Sequence, residues 1–168
     1  MNGIINSVLA WSHARNIIKG STAKDQYLKM CSESGELAEL HSLEEIIDDI
    51  GDMQVCLINL LAQSEINIEE VYNYPVYIMG SNYYRSICLY QGRLADALLK
   101  NNKKDIFDVA AGLINVMADI AVIHNFTLEQ ALEKAYNSIK DRKGIMYNGA
   151  FIKDSDPNYE RILKEVSK

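Results

Sequence analysis

Three cysteines, Cys31, Cys56 and Cys88, are odd in number and lack C-x-x-C spacing, so the chain carries neither a disulfide framework nor a thiol metal motif. Their apolar neighbours mark them as reduced core residues, so a cytoplasmic setting is expected. The N-terminal MNGIINSVLAW has no basic region ahead of its apolar residues, and no run approaches the roughly eighteen apolar residues of a membrane helix. Neither a signal peptide nor a membrane span is expected. Basic residues are outnumbered by acidic ones, 17 to 23. A net charge of −6 argues against non-specific binding to nucleic acid or an anionic membrane, and an anionic substrate then needs a local basic cluster or bound cations. Finally, the residues three before His13, His41 and His124 are all alanine, so the Glu-x-x-His pairs of a di-iron carboxylate bundle are missing.

What the chain does have is helical periodicity. At 168 residues, 48% of them hydrophobic, it can bury one proper core, and we expect a single all-α domain over residues 1–168. Ile4, Ile5, Val8, Trp11, Ala14, Ile17 and Ile18 form one helical stripe, stopped by Gly20-Ser21-Thr22. A second helix runs from about Ala23 to Leu40. Ser42, three residues before Glu45, matches a capping box that opens a long helix to about Ser64. Asn67 caps a short helix ended by Tyr74-Pro75. Tyr74 to Tyr84, YPVYIMGSNYY, reads as an aromatic-rich connector, with a short strand as the alternative.

The stretch from Cys31 to Leu61 holds two acidic pairs, Glu33 with Glu36 and Asp49 with Asp52, each at i, i+3. That spacing stacks both carboxylates of a pair on one helical face. Two such helices facing each other make a four-carboxylate site suited to a hard divalent cation, Mg²⁺ or Mn²⁺, rather than zinc. The second pair leads into the apolar run from Met53 to Ala62, where buried carboxylates need neutralising. The competing reading is a solvated acidic face, and Glu39, Glu44, Glu45 and Asp48 are assigned to that.

The pattern then starts again. Gly92-Arg-Leu-Ala-Asp matches Gly35-Glu-Leu-Ala-Glu at an offset of 57, and Phe126-Thr-Leu-Glu-Gln matches Ile66-Asn-Ile-Glu-Glu at an offset of 60. We read a tandem duplication of a helical unit, the first copy spanning about 4–74 and the second about 84–153. In the second copy Glu33, Glu36, Asp49 and Asp52 fall opposite Tyr90, Arg93, Val109 and Gly112, so only the first can hold cations. The second instead ends in a basic segment with Lys134, Asn137, Lys140, Arg142 and Lys143. A favourable interaction with the helix dipole is its other explanation. The residues after it, Ile145 to Lys153, have no helical period and read as a loop or lid.

The motif Glu33-Ser-Gly-Glu36, then twelve residues, then Asp49-Ile-Gly-Asp52, resembles the ExxE…ExxD pattern of the MazG-like, all-α NTP pyrophosphohydrolases. Asp49 departs from the family's usual Glu by one methylene. The stretch KAYNSIKDRKGIMYNGAFIKD resembles the C-terminal part of phage and bacterial members. The resemblance implies a bundle of two diverged MazG-like units. It also implies Mg²⁺-dependent cleavage of a nucleoside triphosphate to the monophosphate and pyrophosphate by water attack at the α-phosphorus. Glu33, Glu36, Asp49 and Asp52 would be ligands, with Lys134, Asn137, Arg142 and Lys143 on the phosphates. Trp11 could stack on a base or pack in the core, and His13 could meet a base edge or face solvent. Members with one unit commonly pair two chains. That habit, with apolar surface expected on the Met53–Ala62 and Gly112–Ile123 helices, points to a homodimer. A dimeric dUTPase-like member and a non-catalytic helical interaction protein with a decayed site are the alternatives.

Overall fold

The computed structural model describes residues 1–39, 42–75 and 82–166. Among these the chain forms α1 (Asn2–Ala14), α2 (Ile17–Gly20), α3 (Ala23–Leu37), α4 (Leu43–Gln63), α5 (Ile68–Asn73), α6 (Tyr83–Leu99), α7 (Lys103–Ile123), α8 (Leu128–Ile139), a two-stranded hairpin β1 (Gly144–Tyr147) and β2 (Ala150–Lys153), and α9 (Tyr159–Val166). The protein is an all-α bundle, as expected.

Helix starts follow local chemistry. Thr22, Ser42 and Thr127 each accept from the backbone N–H three residues on, and Asp25, Glu45 and Gln130 reach back to complete capping boxes. Asn67, Asn82 and Asn102 cap α5, α6 and α7 in the same way without the return bond. Each such cap stabilises its helix by about 1 kcal/mol.

The centre of the fold is α4. Ile50, Met53, Leu57, Ile58, Leu60 and Leu61 are wholly buried, each contributing roughly 1.5–3 kcal/mol of apolar burial. Against it pack α3, α8, α1, α2, α5 and α7. Helix α8 crosses α4 closely at Gly51. A β-carbon there would lie 2.3 Å from the Ala131 carbonyl oxygen and 2.8 Å from the Ala135 β-carbon, so only glycine admits α8 at this distance. The other long hairpin is α6 with α7, and α5 packs on α7 as α8 packs on α4. Helices α4 and α7 are both 21 residues long and begin 60 residues apart. Both end in the same turn, with a left-handed residue at Glu65 and Asn125.

Four expectations are corrected. The first helical stripe is broken at Arg15 and Asn16, where Asn16 takes φ 57°, a conformation asparagine tolerates. The break frees Arg15 to donate from Nε to the Arg142 carbonyl at 2.7 Å and from Nη2 to the Lys140 carbonyl at 3.0 Å, holding the end of α8. The segment after Lys143 is a β-hairpin rather than a loop, and Asn148 and Gly149, at φ 50° and 79°, form its turn. Positive φ at both positions is what a two-residue hairpin of native twist requires, and Asn-Gly supplies it. Of the three free cysteines only Cys56 is buried, while Cys88 is exposed. Finally, Met53 to Leu61 of α4 is largely covered within the chain rather than left as apolar surface. Exposed apolar side chains lie at the end of α7, where Val122 and Ile123 are 73% and 52% accessible. Among the described residues α7 alone is long and apolar enough to cross a membrane, and most of it is buried in the bundle. The connector reading falls mainly on residues 76–81, outside the described residues.

Candidate functional site

Helices α3 and α4 form an antiparallel hairpin whose facing sides open into a cavity of about 450 Å³. From α3, Asp25, Lys29, Glu33 and Glu36 recur at helical spacing along this wall, with Gln26 beside them; from α4 come Asp52, Val55, Cys56 and Asn59. Arg142 enters from the turn after α8, Trp11 from α1, and Met146, Gly149 and Phe151 from the hairpin. The hairpin is anchored for this by two backbone bonds, Met146 N–H to the Arg15 carbonyl and Gly149 N–H to the Gly20 carbonyl, both 2.8 Å.

Of the four expected carboxylates, Glu33, Glu36 and Asp52 line the cavity. Asp49 is buried on α4 but does not. Glu33, itself only 4% accessible, pairs with the Lys29 ammonium one turn earlier. Burial is the main cause that pushes the Asp52 carboxyl up to about 6, followed by the negative charges of Glu33 and Asp48, while Arg142 and Lys29 pull the other way. Burial, with Glu33 and Asp52, also drives the Cys56 thiol to about 12, so it stays protonated and offers no soft thiolate. The donors at this wall are therefore carboxylate oxygens, which suit a hard cation. The negative field felt by Asp52 is the kind a cation relieves. Among the described residues, however, no three Asp, Glu, His or Cys side chains stand close enough together to hold an ion as placed.

The expected basic residues divide. Arg142 lines the cavity and, with Phe151, an adjoining cleft that also carries Lys143 and Lys153. The Lys134 ammonium instead donates to the Glu44 carbonyl and sits 3.8 Å from the carboxylates of Glu44 and Asp48, tying α8 to the first turns of α4. Asn137 is exposed and accepts from Lys140 Nζ at 2.9 Å. Trp11 lies on the cavity wall, its ring 16° from parallel to Phe151 with centroids 6.4 Å apart, and the Arg15 guanidinium sits 4.9 Å from its centroid on the other contact. His13 is exposed and is not among the cavity residues.

Sequence reasoning passed over Lys29, Gln26, Asn59 and Phe151. For Lys29 the signal was present, one turn before Glu33 on the same face. The positions 57 and 60 residues on from Glu33 and Asp52 show a different filling. Tyr90 packs so tightly over Gly112 that a β-carbon there would lie 2.1 Å from the ring, and Arg93 sits 5.9 Å from the ring centroid. Comparison of the chain with protein-family models, curated proteins and solved structures finds no match.

Proposed function

We propose that the chain is a Mg²⁺-dependent nucleoside triphosphate pyrophosphohydrolase, built from two diverged tandem units of which only the first keeps the acidic site. The observation that carries this reading is one cavity lined by four carboxylates, Asp25, Glu33, Glu36 and Asp52, with two cations, Lys29 and Arg142, and an aromatic pair, Trp11 and Phe151. Glu33, Glu36 and Asp52 would hold the cation. When bound, Mg²⁺ supplies positive charge that polarises the phosphate and makes a water more acidic. Arg142 and Lys29 neutralise phosphate oxygens, the guanidinium as a fork and the ammonium as a point charge. Glu36, the exposed acid of the three, orients the attacking water. The water oxygen bonds to the α-phosphorus, the bridge to the β-phosphorus breaks, and the products are the monophosphate, pyrophosphate and a proton.

A screen of the common ribo- and deoxyribonucleoside triphosphates, with pyrophosphate and orthophosphate detected separately, tests the reading. Metal-dependent pyrophosphate release from at least one of them is expected, and release of orthophosphate alone would sink it. The non-catalytic alternative draws support from Asp49, which stands off the cavity. It predicts that Mg²⁺ leaves the melting temperature unchanged, whereas a metal site raises it in wild type and not in Asp52→Asn.

Two results should follow from the placement of the basic residues and of Asp52. Arg142→Ala raises KM about tenfold or more with metal binding unchanged, because it acts on phosphate. Lys134→Ala does so less, since its ammonium would have to leave Glu44 and Asp48. Equal KM values for both variants and wild type would return these residues to a structural role. As for pH, a cation competes with a proton for Asp52, so apparent Mg²⁺ affinity should fall as pH drops through about 6. Isothermal titration at pH 5 and pH 7.5 checks this, and equal affinity at both would remove Asp52 from the ligand set.

A further inference from the structure

The cavity continues inward past its acids to a polar pair the proposed chemistry does not use, Gln26 on α3 and Asn59 on α4, 7% and 2% accessible. Their hydrogen bonds have a fixed direction, set by backbone carbonyls that can only accept. Gln63 Nε2 donates to the Ile17 and Ser21 carbonyls, so its amide nitrogen must face that way. The Ser21 hydroxyl gives its one hydrogen to the Ile17 carbonyl at 2.8 Å. Its oxygen therefore accepts from Gln26 Nε2 at 3.0 Å, which turns Gln26 Oε1 toward Asn59. Asn59 Nδ2 donates to that oxygen at 3.3 Å. The far side of the amide, Asn59 Oδ1, is thus held as an acceptor, and it is buried with no partner among the described residues. Leaving such a group unserved costs about 1–3 kcal/mol.

A second unserved group belongs to another residue lining the cavity. Trp11 Nε1 is a buried donor with no partner among the described residues, and its ring runs nearly parallel to Phe151. An unpaired acceptor and a flat aromatic surface in one cavity are complementary to a planar heterocycle whose edge carries an N–H. The layout suits a nucleotide. Asn59 is two helical turns, about 10 Å of rise, from Asp52, and Gln26 is equally far from Glu33.

We infer that Asn59 is the specificity-determining residue of the cavity, its side-chain oxygen accepting a hydrogen bond from an N–H on the base edge while the base stacks on Trp11. This rests on the nucleotide reading above. A site built to take such a hydrogen bond rejects analogues that lack it, because its own buried group is then left unpaired.

Trp11 is the only tryptophan, so its fluorescence reports the site directly. Titrating metal-free protein with millimolar adenosine, cytidine, uridine and thymidine should give saturable quenching with at least one, and none with ribose. The responding nucleoside should bind at least tenfold more weakly when its base N–H is methylated: N6,N6-dimethyladenosine, N4,N4-dimethylcytidine, 3-methyluridine or 3-methylthymidine. It should also bind at least tenfold more weakly to Asn59→Leu. The methylated probes use the wild-type protein, so that arm decides even if the variant does not fold. Quenching by no nucleoside, undiminished binding of the methylated probe, or a folded Asn59→Leu that binds as wild type would overturn the inference. Nucleoside binding through Asn59 without any pyrophosphate release would defeat the catalytic reading alone. Pyrophosphate release with kcat/KM unchanged in Asn59→Leu would defeat the base-edge assignment alone.

Discussion

Asp52→Asn should lower pyrophosphate release by about two orders of magnitude or more, as expected when a charged group that acts on the transition state is removed. The same change should make the metal-free protein more stable. The ionised Asp52 carboxylate is disfavoured in the folded state by burial and by Glu33 and Asp48, which is why its pKa rises from 3.8 to about 6. A raised carboxyl pKa means the folded chain binds the proton more tightly than the unfolded chain. The resulting stabilisation is present in full below the unfolded value and is lost as pH rises through about 6. Above that pH the wild type carries a charge that opposes folding, and asparagine removes it. Melting curves in chelator should therefore show Asp52→Asn above wild type at pH 7.5 and level with it near pH 4. A variant less stable than wild type at pH 7.5, or one that retains near-normal turnover, would contradict the placement of Asp52 as a functional group held against the interest of stability.

The second large effect is at Gly51, beside Asp52. In Gly51→Ala the new methyl meets the Ala131 carbonyl and the Ala135 β-carbon, both parts of the α8 wall with little room to yield. Overpacking of this kind costs about 1–3 kcal/mol, a fall of roughly 3–10 °C in melting temperature for a chain of this size. It should also move the end of α8, and with it Arg142, away from Asp52, raising KM. Gly35→Ala is the control, since nothing among the described residues lies within 4 Å of its added methyl and its site is helical. Alanine there should be neutral or stabilising by up to about 1 kcal/mol. Thermal unfolding of the two variants side by side checks the α4–α8 crossing, and equal melting temperatures would refute it.

The helices were legible because their signals are local. Ser42 with Glu45, Asn67, and the apolar run from Met53 place α4 and α5 to within a residue or two, since caps and period act within one turn. The Glu33 and Glu36 face was legible for the same reason. Asp49 was not, because i, i+3 spacing still leaves two side chains about 60° apart around a helix. Which of the pair meets the cavity depends on what packs from each side. The Asn148-Gly149 turn was a local signal for a hairpin, passed over because the strands beside it are only four residues each. Asn59 sits inside an apolar run, where an amide reads as incidental. Its meaning emerges only from bonds to Gln26 and from there to Ser21, across elements that sequence spacing does not relate.

The account stands most directly on where water attacks. Hydrolysis in H₂¹⁸O of whichever nucleoside triphosphate releases pyrophosphate, followed by mass spectrometry of both products, locates the new P–O bond. Attack at the α-phosphorus predicts one ¹⁸O in the nucleoside monophosphate and none in the pyrophosphate, with incorporation lost in Asp52→Asn. Label in the pyrophosphate, or label in the monophosphate that persists undiminished in Asp52→Asn, would contradict it.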